Sequence, residues 1–301
     1  MSSLKALKIR INSVKSTQKM TKAMKMVAAS KLRKAKTRCE TSRDYSGKVN
    51  QLVANLSTQV RNSSGFGFDK NFELLTGRDK QKPTYLIILV TSDRGLCGGL
   101  NGFAVKHAKK QIEELTAKGC KVKLLNIGKK GGELTKTKFG DIIIENITGL
   151  YKNDVSYDDI YDIGNKIIEL FNKGEFDICQ LIYSNFISAI AQEPRITQII
   201  PAVGDDKNAK FEASEPASAI SYEPSANSVL AELLPKNIKI QLFQALLESY
   251  ASEQGARMAA MESATTNAGN MIKDLTLLYN RTRQANITRE LIDIVSGAQA
   301  V

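Results

Sequence analysis

The chain has 301 residues, 42% of them hydrophobic and 25% charged, so it is long enough for two domains and can bury a sizeable core. Its 43 Lys and Arg outnumber its 31 Asp and Glu, which gives a formal net charge of +12 at pH 7. The four cysteines are scattered without C-x-x-C spacing, and His107 is the only histidine. This composition argues against a disulfide framework or a zinc site and fits reduced thiols in a cytosolic compartment.

The charge imbalance is confined to the beginning of the chain. The first 48 residues contain 14 Lys and Arg against only Glu40 and Asp44, so the rest of the chain is balanced. No stretch approaches 18 apolar residues, and the helical pattern starts at once without an apolar signal sequence. We therefore expect no signal peptide and no membrane span.

A long amphipathic helix is predicted at the amino terminus. Residues 2–46 contain no Gly or Pro, and apolar residues recur with three- and four-residue spacing. The 43 residues from Ser3 to Tyr45 would extend for roughly 65 Å, so this helix needs a partner. The pattern changes phase between Val14 and Met20, which places Gln18 and Thr21 on the expected seam. We expect the helix to fray after residue 52 and to end at the turn cluster of residues 62–67.

An α/β sheet is predicted in the middle of the chain, because strand patterns alternate with helical ones and indicate a doubly wound, Rossmann-like arrangement. The predicted strands are 85–91, 121–127, 142–147, 177–183 and an edge strand at 196–201, and the predicted helices are 102–117 and 157–172. Residues 204–228 are polar, contain two prolines and are expected to form a loop.

The helical pattern returns after Asn237 and includes a slender segment rich in Ala, Ser and Gly at residues 251–269. Because both long helices join the same α/β domain, we expect an antiparallel coiled coil with that domain inserted between its arms. The predicted domains are 1–60, 61–228 and 229–301. A last helix from Ile238 to Ser296 would be 16 residues longer than the first, so its end would project alone. The predicted coiled-coil core comprises Leu4, Leu7, Ile11, Val14, Val27, Phe243, Leu247, Tyr250 and Leu275.

Two alternative functions need to be weighed against a structural one. The Gly-rich turn at residues 92–101 invites a nucleotide-binding interpretation, but it matches neither a P-loop nor a clean G-x-G-x-x-G pattern, and tight strand-to-helix packing explains it as well. Residues 128–132 are interpreted as another turn. The basic helix could bind DNA, although an acidic protein surface is the preferred partner because no aromatic residue interleaves with the charges before Tyr45. No catalytic set can be assembled around His107.

Three sequence blocks resemble the gamma subunit family of F-type ATP synthases. They are TQKMTKAMKMVAASK at residues 17–31, SDRGLCGGLN at residues 92–101, and EQGARMAAM together with YNRTRQANITREL at residues 253–261 and 279–291. The two terminal blocks are highly specific, and the resemblance runs from end to end. It implies a central rotor shaft whose two terminal helices lie inside a ring of three α and three β subunits, with the catalytic sites in the β subunits.

The resemblance also implies partners and contact residues. Lys19, Lys22 and Met24 would face the acidic lever region of a β subunit, and Arg283 and Gln284 would contact a β-subunit loop. Tyr222 and Glu223 resemble the loop that meets the c-ring, and the α/β domain would also bind the ε subunit. No cofactor, metal or nucleic acid is implied. The absence of a transit peptide favours the cytoplasmic side of a bacterial inner membrane, although a mature organellar protein would have the same pattern.

Overall fold

The computed structural model describes residues 4–62, 70–78, 80–150, 155–202, 222–223 and 225–299. The chain divides into two compact units, Met1–Ser30 with Arg257–Val301, and Lys31–Ala256. Two long helices, α1 (Leu4–Asn62) and α6 (Ala226–Gln299), contribute residues to both units. The units therefore follow different boundaries from the domains expected from the sequence, because part of each long helix belongs with the α/β sheet.

Helix α6 is longer than predicted, whereas α1 ends at the first residue of the predicted turn cluster. α1 has 59 residues, and the expected fraying after residue 52 is wrong because Val53, Leu56 and Val60 continue the buried stripe. α6 has 74 residues and begins at Ala226, with Pro235 inside the helix. Proline removes a helical hydrogen bond, but Leu230 and Leu234, just before Pro235, are fully buried in an apolar cluster with α1. Of the predicted turn cluster at 62–67, only Asn62 is described, and it ends α1.

The centre of the Lys31–Ala256 unit is a five-stranded sheet with the order β3-β2-β1-β4-β5. The first four strands are parallel and β5 is antiparallel, so the prediction of a doubly wound α/β fold with an antiparallel edge strand is confirmed. The strands are β1 (Thr84–Val90), β2 (Lys121–Ile127), β3 (Ile143–Ile147), β4 (Ile178–Phe186) and β5 (Gln192–Ile200). The shorter helices are α2 (Lys70–Thr76), α3 (Leu100–Ala117), α4 (Lys129–Phe139) and α5 (Tyr157–Asn172).

The two faces of β1 are buried by alternate side chains. Ile87 and Leu89 pack with the buried face of α3, whereas Leu86 and Ile88 point to the opposite face and are also fully buried. The crossovers that leave β1 and enter β4 run in opposite directions across the sheet, which places α3 and α5 on opposite faces. The point between β1 and β4 is therefore the topological switch point of the sheet.

Helix α4 was not predicted from the sequence, because residues 128–132 have a composition typical of a turn. The helix starts directly after Gly128, whose φ of +102° is a conformation that other residues rarely adopt. A Cβ atom on Gly128 would lie 2.0 Å from the carbonyl oxygen of Thr91. The backbone N–H of Gly131 donates to Thr91 Oγ1 at 2.8 Å, so close packing on β1 fixes the start of the helix.

We predict that Gly128→Ala lowers the free energy of unfolding by about 3 kcal/mol or more, because both the backbone conformation and the Thr91 contact forbid a side chain. The matched control is Gly47→Ala in α1, where an added Cβ meets no atom within 4 Å. That change should raise the stability by about 0.5–1 kcal/mol. Urea unfolding monitored by circular dichroism checks both, and equal midpoints for the two variants would contradict the packing described here.

Candidate functional site

In the unit formed by residues 1–30 and 257–301, α1 and α6 pair in antiparallel orientation. Leu7, Ile11 and Leu275 form a buried apolar cluster, and Val14 and Tyr279 pack against it. Further along, Lys25 forms an ion pair with Glu262. Leu4, another predicted core residue, is half-buried. Because residue numbers rise on one helix as they fall on the other, the two helices run in opposite directions.

A polar layer interrupts the apolar seam of this helix pair. The Thr21 and Thr265 hydroxyls lie 2.7 Å apart, and Gln18 Nε2 donates to the carbonyl oxygen of Thr265 at 3.5 Å. A Cβ atom on Gly269 would lie 3.1 Å from Gln18 Nε2, so the helices approach closely here. The phase change noted in the sequence thus creates a set of directional contacts, which specify one register of the two helices.

The assignment of Val27 to the coiled-coil core is wrong. Its side chain is 58% exposed, whereas the neighbouring Ala28 is only 1% exposed. The polar layer at Gln18 and Thr21 shifts the buried stripe by one position, and a small residue takes the buried place. Met24, expected to contact a β subunit, is exposed at 38%.

The surface of this unit is strongly basic. It contains twelve Lys and Arg against four Asp and Glu, and none of the acidic residues lies in its α1 segment. Lys19 and Lys22 are exposed. Such a surface attracts acidic partners at long range. Arg283 and Gln284 are also exposed, but Arg283 lies 18 residues beyond Thr265 on α6, about 27 Å along the helix, so the two predicted contact regions are separate.

The last turns of α6 present apolar side chains to solvent. Beyond Tyr279 the described residues of this helix are almost all exposed, and five of them are large and aliphatic. Those five are Ile287, Leu291, Ile292, Ile294 and Val295. Clustered exposed apolar residues mark a surface for another protein.

The other predicted core residues lie in the Lys31–Ala256 unit. Leu247 and Tyr250 are buried, whereas Phe243 is half-buried. The Phe243 and Tyr157 rings pack edge to face, with 5.7 Å between their centroids. Tyr222 packs against the apolar cluster shared by α1 and α6, and Glu223 is exposed. The loop that was expected at residues 204–228 lies mostly outside the described residues.

The sequence patterns gave no sign of an ion pair in the same unit that joins an exposed arginine to a buried glutamate. Arg43 Nη2 donates to Glu248 Oε1 at 2.9 Å, and the Glu248 side chain is only 5% exposed. Burial, followed by the neighbouring Glu248 charge, raises the pKa of the Cys39 thiol to about 11, so this cysteine is unreactive at neutral pH. The only available signal was a glutamate within the apolar stripe of α6, which by itself does not identify a partner.

The Gly-rich turn at residues 92–101 is filled by the chain's own polar groups. Asp93 accepts hydrogen bonds from the backbone N–H groups of Lys129 and Gly149, both at 3.0 Å. The Asn101 amide bonds both the backbone N–H and the hydroxyl of Ser92. The Asp93 carboxylate thus occupies the N-terminus of α4, where a phosphate would otherwise bind. These contacts favour the packing interpretation of the turn.

The described residues contain neither a metal-binding cluster nor a membrane-spanning helix. No group of three or more His, Cys, Asp or Glu side chains there is arranged to hold a metal ion. None of the helices in that part of the chain combines the length and apolar character needed to cross a membrane.

Comparison with known proteins identifies the family. The family described as ATP synthase matches residues 3–301. The ATP synthase gamma chains of Sinorhizobium medicae (strain WSM419) and Rhodospirillum rubrum are each 46% identical to this chain, over 303 and 308 aligned residues that cover all of both proteins. The chain belongs to the ATP synthase gamma-chain family. The resemblance inferred from the three sequence blocks is therefore confirmed.

Solved structures agree with this assignment. A central-stalk chain of the Tetrahymena thermophila mitochondrial ATP synthase is 27% identical, with a TM-score of 0.60, and the match covers 81% of this chain and 99% of that one. A chain from the Euglena gracilis mitochondrial ATP synthase has a TM-score of 0.66 at 19% identity, covers 99% and 94% of the two chains, and supports the fold alone. The gamma-chain fold thus combines the paired terminal helices with the α/β sheet.

We predict that the polar layer of this gamma-chain helix pair is energetically coupled. Thr21→Val and Thr265→Val should each lower stability by about 1 kcal/mol, and the double variant should cost about 0.5–1 kcal/mol less than the sum, because both single changes remove the same hydrogen bond. Thr276→Val, at an exposed position of α6, serves as the control. Helix unfolding followed at 222 nm measures all four variants, and strictly additive effects would show that the two hydroxyls do not interact.

Proposed function

We propose that this chain is the central rotor stalk subunit of an F1Fo ATP synthase, present as one copy in a ring of three α and three β subunits. It couples proton-driven rotation of the c-ring to the conformational cycle of the catalytic β subunits. The observation that carries this proposal is the 46% identity to gamma chains over the whole length of both proteins. The chain itself is not catalytic and requires no cofactor.

The proposed mechanism depends on asymmetry. Three chemically identical catalytic sites meet different faces of one rotor, so each orientation stabilises a different set of site conformations through unequal contact energies. Rotation then moves each β subunit in turn through binding, formation and release of ATP. The exposed aliphatic residues at the end of α6 suit such a turning contact, because apolar packing is not directional and does not favour one angle strongly.

The proposed contacts with the β subunits lie at two levels of the helix pair. Lys19, Lys22 and Met24 face an acidic segment of β, and Arg283 and Gln284 contact a β-subunit loop. Support comes from the exposure of all five side chains and from the absence of any acidic residue in the first 30 positions. Long-range attraction between Lys19 and Lys22 and acidic β segments would help to set the angles at which the rotor pauses.

The α/β domain is the proposed foot of the rotor, where the ε subunit and the c-ring bind. Tyr222 and Glu223 are the proposed c-ring contacts. In this proposal the functional domains are residues 1–60, 61–228 and 229–301, since the two helices act on the catalytic ring and the middle of the chain acts on the foot. The bacterial gamma chains among its relatives support a location on the cytoplasmic side of a bacterial inner membrane, as a peripheral subunit.

The first test is reconstitution of the chain with the matching α and β subunits. We expect gel filtration to give a complex with one copy of this chain per ring, and multisite ATP hydrolysis that is lost when the chain is omitted. A chain that elutes alone and binds duplex DNA at physiological salt would instead identify the basic helix as a nucleic-acid arm. Nucleotide affinity of the free chain would point to a nucleotide-binding protein.

We predict that Lys19→Glu combined with Lys22→Glu lowers multisite ATP hydrolysis of the reconstituted complex at least about tenfold. Two negative charges would then face an acidic surface, and a tenfold loss corresponds to about 1.4 kcal/mol. The matched control is Lys106→Glu with Lys109→Glu, which has the same spacing on helix α3. Equal rates for wild type and the Lys19/Lys22 variant, with assembly intact, would exclude these lysines as β contacts.

A further inference from the structure

The carboxyl end of β4 is bonded to helix α6. The backbone N–H of Ser184 donates to Ser249 Oγ at 3.2 Å, and Ser252 Oγ donates to the carbonyl oxygen of Ser184 at 3.0 Å. Both contacts are buried. Serine is not a strong helix former, so two serines three residues apart in a helix interior need a reason. Here they satisfy both backbone groups of one strand residue.

These contacts lie at the switch point of the sheet. The pairing of β1 with β4 ends at Leu89 and Ile182, and the chain after β1 turns towards β2, since the N–H of Thr91 donates to the carbonyl oxygen of Ile127 at 2.8 Å. The side of β4 that faces β1 is therefore open at Ser184. Doubly wound sheets bind their ligands at this place. In this chain the hydroxyl groups of α6 occupy it instead.

Helix α6 is also bonded to α1 on another side of the same turns. Glu248 Oε1 accepts hydrogen bonds from Arg43 Nε at 3.2 Å, from Arg43 Nη2 at 2.9 Å and from Gln244 Nε2 at 2.8 Å. About three turns further back on α6, Asn237 Nδ2 donates to Asn50 Oδ1 at 2.7 Å. Among the described residues, Glu248 Oε2 has no hydrogen-bond partner although it is buried. The cluster therefore does not maximise stability.

Polar and apolar contacts constrain a helix differently. The neighbouring seam of Val49, Val53, Leu230 and Leu234 is apolar, and hydrophobic burial is almost independent of direction. Hydrogen bonds weaken steeply when their angles change, so they fix the rotation of a helix about its own axis. In the Arg43–Glu248 pair only the glutamate is buried. Burying a paired charge is seldom more stabilising than burying an apolar side chain, and its best-supported advantage is to specify one arrangement.

We propose that Ser184, Ser249 and Ser252, together with the Arg43–Glu248 pair, form a switch-point joint that fixes the angle of α6 against the sheet and against α1, and that transmits torque between α6 and the sheet. This inference rests on the proposed rotor function and adds to it the residues that prevent α6 from rotating relative to the sheet. In this chain, helix α6 occupies the crevice where a doubly wound fold binds its ligand, and α6 is the helix that the rotor must turn.

The test begins with Ser249→Ala combined with Ser252→Ala in the full chain. Alanine is the better helix former, so α6 itself is retained. Amide hydrogen exchange of residues 183–186 should accelerate at least about fivefold, since about 1 kcal/mol per lost hydrogen bond corresponds to that factor. The matched control, Ser263→Ala with Thr266→Ala, changes two exposed residues with the same spacing on the same helix and should leave this exchange unchanged.

The functional measurement uses the complete ATP synthase in vesicles and single molecules. The joint variant should take up fewer protons per ATP hydrolysed than wild type, and a bead attached to the α/β domain should show a wider spread of dwell angles. If these residues had a purely structural role, assembled complexes of the variant would show the same number of protons taken up per ATP and the same spread of dwell angles as wild type. Faster exchange at residues 183–186 with unchanged proton uptake and unchanged dwell angles would overturn the proposal.

A second variant covers the case in which the double change prevents folding. Glu248→Gln retains the side-chain shape and removes the charge that Arg43 contacts, and it should give the same two functional changes to a smaller extent. If this variant also assembles and behaves as wild type, the joint proposal is wrong. Failure of the wild-type chain to assemble with α and β subunits would be a different result, because it would refute the proposed function and not the joint alone.

Discussion

Antiparallel packing of α1 along α6 is the interaction on which the rest of the molecule depends. In the unit of residues 1–30 and 257–301, the described core consists of one narrow seam, with Leu7, Ile11 and Leu275 at its centre. Two helices can bury only one stripe each, so most side chains in this unit remain exposed. The exposed surface is not a defect of packing in a rotor subunit, because a ring of partner subunits would supply the missing contacts.

The sheet shows how a ligand-binding architecture can carry a mechanical element instead. Its strand order and switch point are those of a doubly wound nucleotide-binding domain. Two places that could hold a ligand are used by the chain itself: Asp93 lies at the N-terminus of α4, and α6 is bonded to Ser184 at the switch point. The glycines near Thr91 therefore serve close packing, and the fold alone would have suggested the wrong function.

Sequence reasoning was accurate wherever a local pattern determined the element. The continuous β-branched run of β1 and the periodic helix α5 were placed within one residue, because burial on one or both faces leaves a clear period. Helix α4 was missed because its first residues, Lys-Lys-Gly-Gly, have poor helix propensity and depend on Thr91 and Asp93, which are distant in sequence. Val27 was misplaced by one position for a related reason, since the polar layer shifts the seam. The pair Arg43 and Glu248 and the bonds of Ser184 leave no periodic signal at all.

The two units contrast in a way that agrees with a rotor. In the unit of residues 1–30 and 257–301, directional contacts between the helices are few, and the aliphatic end of α6 is exposed, which allows a partner surface to slide past it. In the Lys31–Ala256 unit, α6 is buried; Asn237 and Glu248 bond it to α1, and Ser249 and Ser252 bond it to β4. In a rotor, the exposed end of α6 must rotate freely against the partner subunits, whereas the buried part of α6 must not rotate relative to the α/β domain. The first demand is met by nondirectional packing and the second by hydrogen bonds, so the distribution of buried polar groups along a single helix separates the two tasks.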